Sequence, residues 1–280
     1  MSGGSSALSK IRKDFLLGLA KQGKRHDERA FDQYRPLQLN VGLISKAEGS
    51  AEVRLGNSRV VVGIKMQTGE PYPDSPNDGT MTTSAEMRPI ASPDFEAGPP
   101  NPESIEMARV VDRGIREAKL IQMDKLCITP GEKIWMSYID MHIIDYDGNL
   151  FDACSYAAVA ALLTTKVPVV EKKVGTKDVK LPVSESLPIA CTTAKLGDAL
   201  LADPNFEEEQ VMDVRLTVAL DEENNVRAMQ KGLGGSFKVQ EVKDIIAMTQ
   251  TNSRDIRAQI RKVADEYWAG KGRELLAAAR

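Results

Sequence analysis

Hydrophobic and polar positions change period several times along this chain, and each change marks an element. Leu8, Ile11, Phe15 and Leu19 recur at helical spacing, which predicts a helix over Leu8 to Lys21 that packs its apolar stripe on something larger. The basic, polar stretch Gly23 to Gln33 then predicts a linker. Leu37, Leu39, Val41 and Leu43 alternate with period two, as a half-buried strand does. Two more strands are expected at Ser50 to Leu55 and Val60 to Met66, joined by the turn-forming trio Gly56–Asn57–Ser58, and another at Thr80 to Met87. Thr68 to Gly79 is broken by Gly69, Pro71, Pro73, Pro76 and Gly79 and predicts an exposed loop. Its charges, Glu70, Asp74 and Asp78, make it a poor clamp for phosphates.

Further along, Asn101–Pro102–Glu103 combines a capping side chain, a first-turn proline and an early acid, which predicts a helix running to about Lys119. Lys133 to Tyr146 reads as a long strand closed by Asp147–Gly148, and Leu150 to Leu163 is apolar on nearly every side, as a buried central helix is. Val167 to Val170 predicts a short strand. The polar, turn-rich Glu171 to Ser186 is taken as the divide between two halves. Beyond it, strands are expected at Pro188 to Lys195, Val211 to Leu220 and Val226 to Lys231, then a helix over Val239 to Trp268. Each half runs strands first and helix later, which predicts α+β layers with antiparallel hairpins. The expected organisation is an N-terminal helix and linker (1–33), a first half (34–170), a second half (186–262) and a C-terminal helical extension (263–280).

Composition narrows the class. The 280 residues are 42% hydrophobic and 28% charged, enough for a sizeable core. No apolar run reaches the length of a membrane span, and the small, polar start followed by Lys10, Arg12 and Lys13 lacks the apolar stretch of a secretory leader. Cys127, Cys154 and Cys191 stand far apart without metal-like spacing, as expected for buried, reduced thiols in a cytoplasmic protein. The net charge of −3 excludes a protein that grips nucleic acid by bulk charge, so any such contact must come from a clustered minority of arginines.

One cluster qualifies. Arg109, Arg113 and Arg116 fall within an arc of about 60° on the helix that begins at Pro102, opposite most of its apolar residues. Such a row is either a solvated face paired with Glu106, Asp112 and Glu117, or a track for phosphates, whose oxygens match the planar guanidinium fork. Other features carry less. His142 alternates along its strand and is expected to be packed or hydrogen-bonded, and His26 to face solvent. Gly232 to Gly235 lacks the context of a dinucleotide loop, and Glu207–Glu208–Glu209 is a helix start with acids favoured by the dipole.

The segment Glu106-Met-Ala-Arg-Val-Val-Asp-Arg-Gly-Ile-Arg116 resembles the arginine-bearing helix of the RNase PH family. Glu96-Ala-Gly-Pro-Pro100 resembles the stretch that introduces this helix in ring subunits of archaeal exosomes. The strand Asp140 to Tyr146 with its following helix, and the acidic segment Asp203 to Asp213, fall in the family's order. The resemblance spans roughly Gly23 to Lys262 and is most specific to the non-catalytic member of the two archaeal ring subunits. It implies an RNase PH-like fold of two β–α halves of the ribosomal protein S5 domain 2-like type, with mixed and antiparallel sheets. It also implies a ring of three heterodimers with a catalytic RNase PH-like partner, RNA-binding cap subunits, and single-stranded RNA threaded through the channel. Active members shorten RNA from its 3′ end by phosphorolysis, and no cofactor is expected for this chain.

The departures from that pattern decide the expected role. Active members hold phosphate on a Gly-Ser/Thr-Arg turn at the start of the central helix, where amides, helix dipole and a cation converge. Asn149–Leu150–Phe151 stands in that place, with no side-chain donor at Leu150 or Phe151. Active members also carry two aspartates six residues apart, for metal binding or leaving-group protonation; the corresponding positions are read as Glu207 and Asp213, with Asp213 a vestige. The expectation is a non-catalytic subunit that binds the RNA backbone through Arg113 and Arg116, with Arg109 next, and holds no metal. Two alternatives stay open: an active phosphate-dependent 3′–5′ exoribonuclease that holds phosphate differently, and an unrelated α+β binding protein.

Overall fold

The computed structural model describes residues 3–270. Its elements in chain order are α1 (Gly3–Lys21), β1 (Leu37–Val41), β2 (Gly49–Leu55), β3 (Ser58–Gly69), β4 (Thr80–Met87), α2 (Pro102–Glu117), β5 (Cys127–Thr129), β6 (Lys133–Asp145) and α3 (Leu150–Leu163). There follow β7 (Lys166–Val167), β8 (Val179–Lys180), β9 (Ile189–Leu196), β10 (Ala199–Ala202), α4 (Phe206–Glu209), β11 (Val214–Leu220), β12 (Val226–Gly232) and α5 (Val239–Trp268).

The first sheet has the order β1-β2-β3-β6-β4, with β5 paired to β6 at one end. All its pairings are antiparallel except β4 with β6. The second sheet, β10-β9-β11-β12, is antiparallel throughout. Helix α3 packs on β2 and β3 of one sheet and on β9 of the other, which is why its sequence is apolar all round and its residues from Leu150 to Leu162 are buried. Helix α2 packs on β4, α3 and β12, burying Met107, Ala108, Val111 and Ile115. Its start is built as the sequence predicts: the Asn101 side chain accepts the Ser104 amide at 2.8 Å and Pro102 opens the first turn. The RNase PH-like α+β architecture is thus present, with the helices layered between and beside two sheets.

Several expectations need correction. Of the first helix's stripe, Ile11 and Phe15 are exposed, Leu19 is partly buried, and the Leu8 side chain lies outside the described residues. The helix docks instead through Leu16 on Leu196, Leu201 and Val211, a face turned away from Ile11. Gly23 to Gln33 is no free linker. Buried Arg25 donates to both Glu208 oxygens at 2.8 and 2.5 Å and to the Ala202 carbonyl at 2.9 Å, while Arg29 reaches Asp203 at 3.1 Å. The strand expected over Val167 to Val170 ends at Val167, because Pro168 has no N–H to continue the ladder. β3 runs on to Gly69, and the short strands β5, β8 and β10 have no periodic signal in the sequence. His142 is exposed, 3.6 Å from Glu86, rather than packed. Cys154 and Cys191 are buried but Cys127 is only partly so. Helix α5 crosses residue 262 without a break and is tied down at its end by Trp268 Nε1 donating to the Leu163 carbonyl at 2.9 Å; residues 271–280 lie outside the described ones. No described helix is long and apolar enough to cross a membrane.

Candidate functional site

Two places qualify as the site: the turn that leads into α3, and the exposed face of α2. The turn is formed by Asp147–Gly148–Asn149. Gly148 has φ +88°, and a Cβ there would lie 2.4 Å from the Asn205 carbonyl carbon, so glycine lets the second half close on the turn. Asn149 adopts the left-handed conformation (φ 51°, ψ 50°), which asparagine tolerates better than most residues. Its side-chain amide donates to Asp152 and Asp203, each at 2.8 Å, so it does not cap the helix.

Behind the turn lies a buried polar network that joins both halves to the N-terminal segment. Asp203 accepts Arg35 Nε and Nη2 at 2.9 and 2.8 Å, the Arg35 amide at 2.8 Å and Arg29 Nη1 at 3.1 Å. Burial alone would raise the Asp203 carboxyl, but the Arg35 guanidinium beside it more than reverses this and holds it below the ordinary carboxylate range. Asp152 accepts Tyr34 Oη, Asn149 Nδ2, and the Thr192 amide and hydroxyl at 2.8–2.9 Å, with no cation among its donors. There burial wins, and the carboxyl is pushed up to about 7.

In front of the turn is an open cleft lined by Leu150, Phe151, Tyr146, Glu209, Glu106 and Arg215, among others. Leu150 and Phe151 are buried and offer no charge or side-chain donor. The backbone amide of Asn149, at the N-cap of α3, donates to Glu209 Oε1 at 2.9 Å. Glu209 Oε2 accepts the Tyr146 hydroxyl at 2.8 Å. Loss of solvent pushes the Glu209 carboxyl up, and both Tyr146 and the Asn149 amide, as donors to it, pull the other way. The chain's own acid thus sits against the entrance to α3, where an incoming anion would have to approach.

Arg215 returns a cation to this cleft, but an engaged one. Its guanidinium lies 4.0 Å from the centre of the Phe151 ring and donates to Glu106 at 2.8 Å. With Glu103, Glu106 and Glu209 all lining the cleft against one arginine, the local charge opposes phosphate entry.

The pair of positions six residues apart that faces this cleft is Glu209 and Arg215, not Glu207 and Asp213. Asp213 accepts Lys13 Nζ at 2.7 Å and the Gly197 amide at 2.9 Å, and Glu207 pairs with Arg12 at 3.2 Å and His26 at 3.0 Å. Both acids pair with basic residues of α1, and neither lines the cleft. The signal that could have pointed to Arg215 is the alternation of β11, where it shares a face with Thr217 and Ala219 toward α3 and α2. A carboxylate beside a cation does not fit a metal ion, and no group of three or more His, Cys, Asp or Glu among the described residues could hold one.

On α2 the three arginines are exposed on one face, as their spacing predicts. The acids do not distribute as a solvated, self-paired face would have them. Glu106 is turned to Arg215, and Asp112 holds Arg116 through Nε at 3.1 Å and Nη2 at 3.0 Å. Arg109 and Arg113 have no carboxylate within 4.0 Å among the described residues. Arg113 borders an apolar groove with Val110, Pro188, Ala228 and Met229.

Comparison with known proteins agrees with this geometry. Residues 33–168 match the model for domain 1 of the 3′ exoribonuclease family, and residues 186–252 match the model for domain 2. The chain is 52% identical to the exosome complex component Rrp42 of Thermococcus gammatolerans, over 83% of this chain and 87% of that one. The chain belongs to the RNase PH family. It is also 50% identical to Rrp42 of Thermoplasma acidophilum, over 89% of this chain and 95% of the relative. Among solved structures, a chain of the Archaeoglobus fulgidus exosome with RNA bound to the active site superposes with a TM-score of 0.88 at 44% identity, covering 90% of this chain and 99% of that one. A chain of an archaeal exosome core gives 0.84 at 41% identity, covering 91% and 98%.

Proposed function

We propose that this RNase PH family chain is a non-catalytic ring component of an exosome in the cytoplasm. It pairs with a catalytic RNase PH-like subunit, three such pairs close a six-membered ring beneath RNA-binding cap subunits, and the partner carries out 3′–5′ phosphorolysis. This chain helps shape the partner's site and holds the backbone of single-stranded RNA on Arg113 and Arg109, with Arg116 as a third contact. The observation that carries the reading is the Asn149 amide held by Glu209 at 2.9 Å: the turn built for phosphate is occupied by the protein itself. Positioning and charge supply most of the rate in phosphoryl transfer, and here neither is available to an incoming phosphate. The unpaired guanidiniums on α2 support the second part, since phosphate contacts fix register without reading bases.

The test is to incubate the purified chain with single-stranded RNA and inorganic phosphate. Alone it releases no nucleoside diphosphate, and mixed with the catalytic subunit of the same source it forms an equimolar complex that does. Release by the chain alone overturns the reading, and so does a stable monomer that ignores that partner.

A further inference from the structure

The exposed face of α2 contains an acid to which the proposed function gives no role. Asp112 lies one turn before Arg116 and receives both Nε and Nη2 of its guanidinium, at 3.1 and 3.0 Å. Arg116 Nη2 donates in addition to the Met81 carbonyl on β4 at 3.2 Å, and the Thr83 hydroxyl lies 3.4 Å from Asp112 Oδ1. The Arg116 fork is thereby tied to Asp112 and β4 through Nε and Nη2, and no partner is seen for Nη1 among the described residues. The acid precedes the base by four residues, the favourable order along a helix. Arg109 and Arg113, on the same face, have nothing comparable.

We propose that Asp112 is a tuning residue for the RNA grip of α2: it cancels the charge of Arg116 while fixing its geometry, so that the row acts as two mobile cations and one directional, charge-compensated donor. The inference rests on the proposed RNA-facing role of α2 and concerns the strength of that contact. The physical case is one of magnitude. Each phosphate neutralised on a single strand adds about 0.7 to the slope of log affinity against log salt. Three free guanidiniums on neighbouring turns would repel one another and, once compensated by RNA, would hold it with three such contributions. A substrate that is shortened one nucleotide at a time must break its backbone contacts at every step, so a row of reduced charge lets the strand advance. The hydrogen bond from Arg116 to the Asp112 carboxylate also raises the guanidinium's pKa, so Arg116 keeps its charge.

The experiment is Asp112→Asn in the ring assembled with its catalytic partner, with a short single-stranded RNA oligonucleotide in phosphate-free buffer over a range of salt. Asparagine keeps the volume and the oxygen that faces Thr83, and a thermal melt checks that the fold persists. Binding becomes several-fold tighter at low salt and the salt slope steepens by about 0.7. Asp112→Glu stays close to the parent, and in an Arg116→Ala background Asp112→Asn changes neither quantity. Unchanged slope, weaker binding, or an equal gain in the Arg116→Ala background each overturns the tuning role. Failure of the underlying reading looks different: then Arg109→Ala, Arg113→Ala and Arg116→Ala all leave RNA binding unaltered.

Discussion

The turn before α3 and the outer face of α2 are two polar regions of the same layer, and they treat their charges in opposite ways. At the turn, the chain's own groups engage most of the charges: Glu209 takes the Asn149 amide, Glu106 takes Arg215, and Asp203 is held by Arg35 and Arg29. On α2, one arginine has a partner and two have none among the described residues. Self-satisfaction makes a region stable and chemically closed, because an outside ion must first displace an internal one. Unpaired guanidiniums on a surface do little for the monomer and are available to something else. On the proposed function, the difference separates a part of the fold that serves as scaffold from a part that meets RNA.

The most damaging way to disturb this contrast is to break the closed side. Asp203→Ala leaves Arg35 and Arg29 buried beside a missing carboxylate and removes an acceptor of Asn149. Removing one member of a buried ion pair typically costs about 3–5 kcal/mol, and a denaturant titration should show a loss of that size. A loss below about 1 kcal/mol, the range of exposed pairs, would mean the network is wet and not closed.

The same region predicts a pH dependence of stability with a definite sign. The Asp152 carboxyl is raised to about 7 in the folded chain, so the native state holds a proton that the unfolded chain, near 3.8, has released. Its contribution is complete below the unfolded value and is lost as pH rises through about 7. Asp203, held low by Arg35, acts the other way: its contribution is present above the unfolded value and is lost as pH falls through the folded one. Stability should therefore peak in the acidic range and decline as pH rises toward neutrality. The decline should be on the order of 4 kcal/mol, since each tenfold difference in proton affinity is worth about 1.4 kcal/mol and the two values lie about three such steps apart. In Asp152→Asn this decline should flatten; a decline of undiminished size would assign it to another group.

The open side is tested in the assembled ring. Arg113→Ala should weaken single-stranded RNA binding by about 1–3 kcal/mol and flatten its salt dependence, without changing the stability of the chain. Arg109→Ala should follow, and Arg116→Ala should cost less, because Asp112 already compensates that charge. If Arg116→Ala proved the largest of the three, the ranking by free charge would be wrong.

How much of this the sequence disclosed depends on how local the cause is. The α2 face was legible because helical spacing alone puts Arg109, Arg113 and Arg116 together, and α3 was legible because a helix between two sheets must be apolar on all sides. The greasy turn at Leu150–Phe151 could be read from residue types. The carboxylate that occupies it could not, since Glu209 lies 60 residues away and arrives only when the second half packs on Gly148. Arg25 was hidden for the same reason: in the sequence it sits in a basic, loop-like stretch, and only the fold brings Glu208 to it across 183 residues. The contacts of Asp213 were equally hidden: it lies just before β11 and meets Lys13, 200 residues earlier in the chain.

The smallest expected effect is the most pointed test of closure. If the turn before α3 were inactive merely because Phe151 replaces a cation, then Phe151→Arg in the isolated chain would restore some phosphate binding. The geometry argues that it will not. The Asn149 amide remains with Glu209, whose other oxygen is held by the Tyr146 hydroxyl, so an acid stays fixed beside the entrance to α3. Arg215 loses the ring it lies over and becomes a neighbouring like charge, still tied to Glu106. Adding Glu209→Gln removes a charge but leaves an amide oxygen able to accept the same N–H, so the double variant should also bind no phosphate by calorimetry and release no nucleoside diphosphate from RNA. Recovery of either activity by the single substitution would show that one residue, not a self-satisfied turn, separates this chain from its catalytic relatives.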